Sequence, residues 1–319
     1  MLDIRKIYVP TPYQVGPVNC YLIMNRPFTL VDPGPESAEG REGLLAGLSD
    51  AGVRPDEIER VIITHWHADH CGLASWLSEQ WGVQVYVHRL EKPKLTPGYD
   101  KHAERLPFLL EAGVPSSDLE EMLNDRDPLP NPLLPLTRVN LLEGGETLAF
   151  TGGALQVMHM PGHSTGHICL YDAESKIFLA GDFILAHITP NPFIAARPED
   201  PNQRVQTLAQ YLTGLNIMKD MDISLILTGH GENISDCPAV IAKVLDHRYK
   251  RMDVFSGILE GAVLSTYQVM RIMYPGIRGF DILLGISEVL AYMDYLEARG
   301  KVSHEVQDGV SLYRLSSSK

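Results

Sequence analysis

The sequence predicts a mixed α/β protein built on a pair of packed sheets with helices outside, followed by a small separate C-terminal domain. Three observations lead there. Strand-like apolar runs come in two groups, and each group is followed by segments with helical apolar spacing. No regular strand–helix–strand alternation runs through the chain, which argues against a doubly wound parallel sheet. From about Ala239 the pattern changes to helices closed by a hairpin.

Taken in order, Ile4–Val9 alternates as an opening strand. Strands at Cys20–Met24 and Thr29–Val31 follow, the latter closing on Asp32-Pro33-Gly34. A helix is expected over about Glu39–Ala51, stopped by Gly52 in the left-handed position that ends many helices. Arg60–Ile63 reads as a buried strand, Cys71–Trp81 as a helix stopped by Gly82, and Gln84–Val87 as another strand. Residues 93–135 break the pattern with helices over His102–Ala112 and Ser117–Leu123 and then the proline-dense DPLPNPLLPL. A long excursion of this kind reads as an insertion or lid. Strands resume at Leu148–Phe150, Leu155–His159, Ile168–Tyr171 and Ile177–Leu179; a helix over Gln203–Lys219 then leads to the buried strand Ile223–Leu227. Domains are expected at 1–240 and 241–319. In the second, helices at Ala239–Ile258, Ser265–Met273 and Gly285–Arg299 precede Val302–His304 and Ser311–Leu315 around the turn Gln307-Asp308-Gly309. Three helices and a hairpin make the layout of a winged helix.

Composition narrows the function classes. At 319 residues, 45% hydrophobic and 21% charged, the chain reads as a soluble globular protein. The opening MLDIRKIYVP is charged and alternating, unlike a secretory leader. No apolar run approaches the roughly 20 residues needed to cross a bilayer. The four cysteines (Cys20, Cys71, Cys169, Cys237) are scattered without a C-x-x-C pair, which fits a reducing cytoplasm. A formal net charge of −13 weakens the case for broad nucleic-acid binding. The presumptive recognition helix, Asp281–Gly300, sets Asp281, Glu288, Asp294 and Glu297 against Arg299 alone, so phosphate would be repelled. The C-terminal domain therefore reads as a pocket wall or a dimer element.

The chemistry is concentrated in Thr64–His70, THWHADH, directly after a buried strand. Imidazole and carboxylate suit zinc, manganese or iron, and four potential ligands so close together suggest two ions. Three more candidates lie just beyond strands, each beside glycine: His163 in PGHSTGH, Asp182 in LAGDF and His230 in LTGHG. Glycine lets the backbone turn sharply and bring these side chains toward a common centre.

This ordered set resembles the metallo-β-lactamase superfamily, in particular its dinuclear branch with glyoxalase II-like hydrolases. The match is H-x-H-x-D-H, then His, Asp and His, over about residues 1–235. The resemblance implies a four-layer αββα sandwich of two mixed sheets. It also implies two divalent ions, zinc foremost with iron or manganese as alternatives. One would be held by His65, His67 and His163, the other by Asp69, His70 and His230, with Asp182 bridging. Residue chemistry agrees: residues two apart in an extended segment face the same way, so His65 and His67 can share an ion. Asp69 and His70 begin the next helix and point elsewhere, and a carboxylate has two oxygens with which to bridge. Two ions about 3.5–4 Å apart sharing a hydroxide make it a nucleophile near neutral pH. Counting charge, the centre stays positive and favours an anionic or strongly polarised substrate.

Further residues are singled out by position. Asp32 is expected to orient the metal loop or a ligand. In the loop after Asp182, His187 is a candidate proton donor, with Thr189 and Asn191 as substrate contacts. His247, Arg248 and Arg251 form the cationic knot HRYKR, either an anion clamp or a set of structural ion pairs. A winged-helix tail with such a knot is similar to that of a metallo-β-lactamase-like endoribonuclease group. His88, His102, His159, His167 and His304 read as ordinary. The leading expectation is hydrolysis of a small anionic thioester or ester, with Asp69 and Asp182 in the catalytic set. Alternatives are a phosphodiesterase or endoribonuclease, an iron-dependent sulfur dioxygenase, and, disfavoured by the acidic helix, a DNA-binding regulator.

Overall fold

A computed structural model describes residues 1–124, 129 and 139–316. Apart from Leu129, the proline-dense DPLPNPLLPL lies outside the described residues. The chain divides into two compact units. One comprises Met1–Tyr99, Asp127–Pro190 and Ile217–Val240; the other comprises Asp100–Arg126, Asn191–Asn216 and Ile241–Lys319.

The first unit is built on two mixed sheets. Strands β1 (Ile4–Val9), β2 (Val18–Ile23), β3 (Thr29–Val31), β4 (Arg60–Ile63), β5 (Gln84–His88) and β6 (Val139–Leu142) lie side by side in chain order. The pairs β1–β2 and β2–β3 are antiparallel, and those from β3 to β6 are parallel. Next come β7 (Thr147–Phe150), β8 (Gly153–His159), β9 (Ile168–Asp172) and β10 (Ile177–Gly181). After a short ribbon in the second unit, β11 (Ala196–Arg197) and β12 (Asp200–Arg204), the chain enters β13 (Leu225–Thr228). The second sheet runs β13-β10-β9-β8-β7, parallel only between β10 and β13.

Strand alternation sorts the side chains into two cores. Cys20, Leu22, Leu30, Val61 and Ile63 pack with Leu44 and Leu48 of helix α1 (Ala38–Asp50), and with Leu73, Ala74 and Leu77. Their strand neighbours Tyr21, Ile23, Val31 and Ile62 face Leu155, Val157, Ile168, Leu170, Leu179 and Leu227 of the other sheet. Each buried valine, leucine or isoleucine among them contributes roughly 1.5–3 kcal/mol. The ligand-bearing strand β4 is therefore buried on both faces, so its end is held by two cores at once.

The helix expected over Cys71–Trp81 is divided at Gly72 into α2 (Ala68–Cys71) and α3 (Leu73–Trp81). A Cβ on Gly72 would stand 2.3 Å from the Glu36 backbone nitrogen, so the chain there passes too closely for any side chain. Helix α3 ends, as expected, on Gly82 in the left-handed conformation, φ 71°.

The second unit includes α4 (Lys101–Glu111) and α5 (Ser116–Asn124), close to the two helices expected in the excursion. The helix expected from Gln203 is α6 (Thr207–Lys219), because Arg204 belongs to β12 and its guanidinium reaches Asp294 and Glu111. The remaining elements are α7 (Cys237–Ile258), β14 (Leu264–Ser265), α8 (Thr266–Met273), α9 (Phe280–Glu297), β15 (Val302–Gln307) and β16 (Val310–Leu315). The last three strands pair in the order β14-β16-β15. The β15–β16 turn carries Asp308 and Gly309 at φ 50° and 81°, as a two-residue hairpin of this twist requires. Among the described residues no helix is long and apolar enough to cross a membrane.

Candidate metal centre

Every ligand candidate sits just past the end of a strand of the first unit. His65 and His67 follow β4, and Asp69 and His70 belong to the single turn α2. Asp182 follows β10, and His230 follows β13. His163 lies in the turn between β8 and β9.

Two triads of donors converge. His65, His67 and His163 form one; Asp69, His70 and His230 form another, the donor atoms of each lying within 4.8 Å of one another. In the first, His67 Nδ1 stands 2.9 Å from His65 Nε2 and 3.1 Å from His163 Nε2. In the second, His230 Nε2 lies 3.2 Å from His70 Nε2 and 3.3 Å from Asp69 Oδ2. Between them, Asp182 Oδ2 is 3.4 Å from His70 Nε2, 3.7 Å from His230 Nε2 and 3.8 Å from His163 Nε2. Its other oxygen, Oδ1, is buried without a hydrogen-bond partner.

This donor set fits divalent cations. Three ring nitrogens pointing at one another offer more lone pairs than shared protons can satisfy, and a cation among them satisfies all three. The outward nitrogens of His65, His70 and His230 are tied down, which aims the inward ones at the shared centre. His70 Nδ1 bonds Asp32 Oδ2 at 2.9 Å, and His230 Nδ1 donates to the Pro17 carbonyl at 2.9 Å. His65 Nδ1 lies 3.0 Å from Thr64 Oγ1, whose hydroxyl donates to Asp32 at 2.7 Å. Asp32, His65 and His70 also offer donors within 4.8 Å of one another. Asp32, however, already accepts from the Thr64 amide, the Thr64 hydroxyl and His70, so its place is behind the ligands.

The electrostatics match. Burial, reinforced by neighbouring imidazoles, pushes His65 well below the usual histidine range and keeps it neutral. Burial also opposes charge on His70, but Asp182, Asp69 and Asp32 outweigh it and raise its pKa well above that range. Asp182 is held ionised against burial by His70 and His230. Gly229 has to be glycine: a Cβ there would stand 2.3 Å from Asp182 Oδ1.

A match to the model of the metallo-beta-lactamase superfamily spans residues 13–230. The chain belongs to this superfamily. It is 30% identical over 307 residues to the "Probable metallo-hydrolase YqjP" of Bacillus subtilis, covering 94% of each chain. It is 25% identical over 215 residues to the hydroxyacylglutathione hydrolase GloC of Haemophilus influenzae, covering 67% of this chain and 85% of that one. A crystal structure of a metallo-beta-lactamase family protein from Thermus thermophilus superposes with a TM-score of 0.80 at 25% identity, covering 98% of both chains. A metallo-hydrolase fold with a metal-binding His/Asp cluster and glyoxalase II-like relatives follows from these findings.

The other expected residues fall elsewhere. His187 is exposed in the loop after β10, beside Gly231: a Cβ on that glycine would lie 2.9 Å from its Nδ1. Thr189 is half-buried in the same loop. Asn191 Nδ2 donates to the Leu284 carbonyl of α9 within the second unit. The HRYKR knot is turned to internal pairing. Arg248 is buried, with Nη1 3.5 Å from the Tyr292 hydroxyl and its guanidinium over the Tyr211 ring. Arg251 bonds both Glu288 oxygens at 3.1 Å and the Tyr274 hydroxyl, while His247 is exposed. Two of the acidic residues counted on α9, Glu288 and Asp294, are thus consumed by Arg251 and Arg204, so the helix is less anionic outwardly than its sequence suggests.

Sequence reasoning passed over three supports. Asn19, a polar residue in a buried strand, bonds the Thr228 and Gly231 carbonyls on either side of Gly229 and His230. His167, read as ordinary, is buried and stacks on His65 with centroids 5.0 Å apart. Glu91 is fully buried between two ligand loops. A polar residue inside an apolar run was a visible signal for Asn19; nothing in the linear sequence marks Glu91.

Proposed function

We propose that this chain is a dinuclear metallohydrolase that adds water to a small anionic thioester or ester. One ion would be held by His65, His67 and His163, and the other by Asp69, His70 and His230. The observation that carries this reading is Asp182 Oδ2, which lies 3.4–3.8 Å from ring nitrogens of both triads. Two divalent ions held there, zinc foremost, would supply a water of lowered pKa and Lewis acidity toward a substrate carbonyl.

The chain's own residues do the rest. Asp182 holds the two halves at a set separation. Asp32 keeps the His70 imidazole oriented and, through Thr64, that of His65. His187 supplies a proton to the leaving group from the loop beside His230, and half-buried Thr189 of the same loop serves as a substrate contact. With two carboxylates among the ligands the centre stays cationic, which favours an anionic acyl substrate. A relative that hydrolyses hydroxyacylglutathione supports an acyl group on sulfur. The order α7–β14–α8–α9–β15–β16 supports a winged-helix reading of the C-terminal elements. The phosphodiester alternative draws less support, since Arg248 and Arg251 are engaged with Glu288 and tyrosines.

The test is a measurement of ion content followed by side-by-side assays with an acyl thioester and a phosphodiester. Thioester turnover is expected. Turnover of neither substrate by the metal-loaded protein overturns the reading.

A further inference from the structure

We infer that Glu91 is a positioning residue for the His65–His67–His163 half of the centre, joining the two loops that supply those histidines. This rests on the dinuclear reading above. Glu91 is 0% exposed. Its Oε2 accepts from the backbone N–H of Trp66, at 2.9 Å, and Trp66 stands between His65 and His67. Its Oε1 accepts from the backbone N–H of Gly166, at 2.6 Å, in the loop that carries His163. Lys94 Nζ lies 3.3 Å from Oε1 and donates to Thr165 Oγ1 at 2.7 Å, so the same loop is gripped through a side chain as well. One carboxylate thereby spans two loops separated by about a hundred residues of sequence.

Gly166 is the matching half of this clamp. A Cβ there would stand 2.7 Å from Glu91 Cγ and 2.8 Å from Oε1, so only glycine lets the amide come this close. The second half of the centre has other anchors: Asp32 for His70 and the Pro17 carbonyl for His230. Glu91→Gln puts an NH2 group against one of the two amides, which releases one loop. The consequence falls on one metal site and spares the other.

Calorimetric titration of chelator-stripped protein with zinc reads this directly. Wild type should take up two equivalents. E91Q should keep one binding step unchanged and weaken the other by about 10- to 100-fold. Gly166→Ala should do the same from the opposite side of the clamp. His163→Ala identifies the affected half, and E91Q added to H163A should weaken binding no further. If E91Q alone fails to fold beside the unpaired Lys94, the double variant E91Q/K94M removes both charges and carries the same expectation. Two unchanged steps in a folded variant overturn the role of Glu91 while leaving the centre intact, as does equal weakening of both steps. Wild-type protein that takes up no zinc overturns the centre and this role with it.

Discussion

Asp32 is a non-glycine residue held at φ 55°, a conformation that costs energy and persists where surrounding structure demands it. What demands it is the set of bonds to Thr64 and His70, which a relaxed backbone would misdirect. Asp32→Ala is therefore expected to weaken metal binding about 10- to 100-fold, measurable by zinc titration. His70 has a pH signature. Burial disfavours its charge, yet the three surrounding carboxylates hold its pKa well above the usual value, so the ion-free protein carries a proton there at neutral pH. A cation claims the Nε2 lone pair only when that proton leaves, so uptake releases a proton and affinity rises with pH through the neutral range. Calorimetric heats should then depend on the ionisation enthalpy of the buffer; heats independent of buffer would contradict this. Asp182→Ala should abolish activity and lower the ion content, since it faces both triads. Full activity in that variant would remove Asp182 from the bridging position.

Individual elements show how tertiary contacts override local preference. Arg204 lies in sequence that reads as the start of a helix, yet it is drawn into β12, and its guanidinium bonds Asp294 of α9 and Glu111 of α4. The two carboxylates hold its pKa above the usual arginine value despite burial. Removing the cation leaves two mostly covered anions facing each other, so Arg204→Ala should cost about 3 kcal/mol in urea unfolding. A loss below ~1 kcal/mol would mean that water replaces the guanidinium. Between α2 and α3 a tertiary contact constrains residue type instead. Periodicity carries the helix through Gly72, which keeps helical angles (φ −53°, ψ −48°) between α2 and α3, while the passing chain at Glu36 leaves room there for glycine alone.

For the whole molecule, ion binding and folding are linked. The ligands come from four separate stretches of the first unit, so a cation that holds them stabilises only the folded chain. At a hundredfold excess over its dissociation constant, one ion adds about 2.7 kcal/mol. Chelation should lower the unfolding temperature by roughly 5–10 °C, read by circular dichroism, with recovery on adding zinc back. An unchanged midpoint would argue against a structural contribution from the ions.

Much of this is legible in the sequence. Strands β1, β3 and β4 coincide with the runs Ile4–Val9, Thr29–Val31 and Arg60–Ile63, because each is a short apolar or alternating run closed by turn residues. The residues that meet in the cluster were legible because each follows a strand and is beside glycine or within THWHADH. The short strands β6, β11, β12 and β14 were not, for they carry little periodicity and exist through their partners. The sequence alone thus determined which side chains are available to hold metal, since that depends on residue type and local spacing. The tertiary structure alone decided what holds those side chains still. Glu91 meets Trp66 and Gly166 across 25 and 75 residues, and the arginines of HRYKR meet Glu288 about forty residues on. Such pairings are made by packed cores that bring distant segments within hydrogen-bond reach, and no local pattern encodes them.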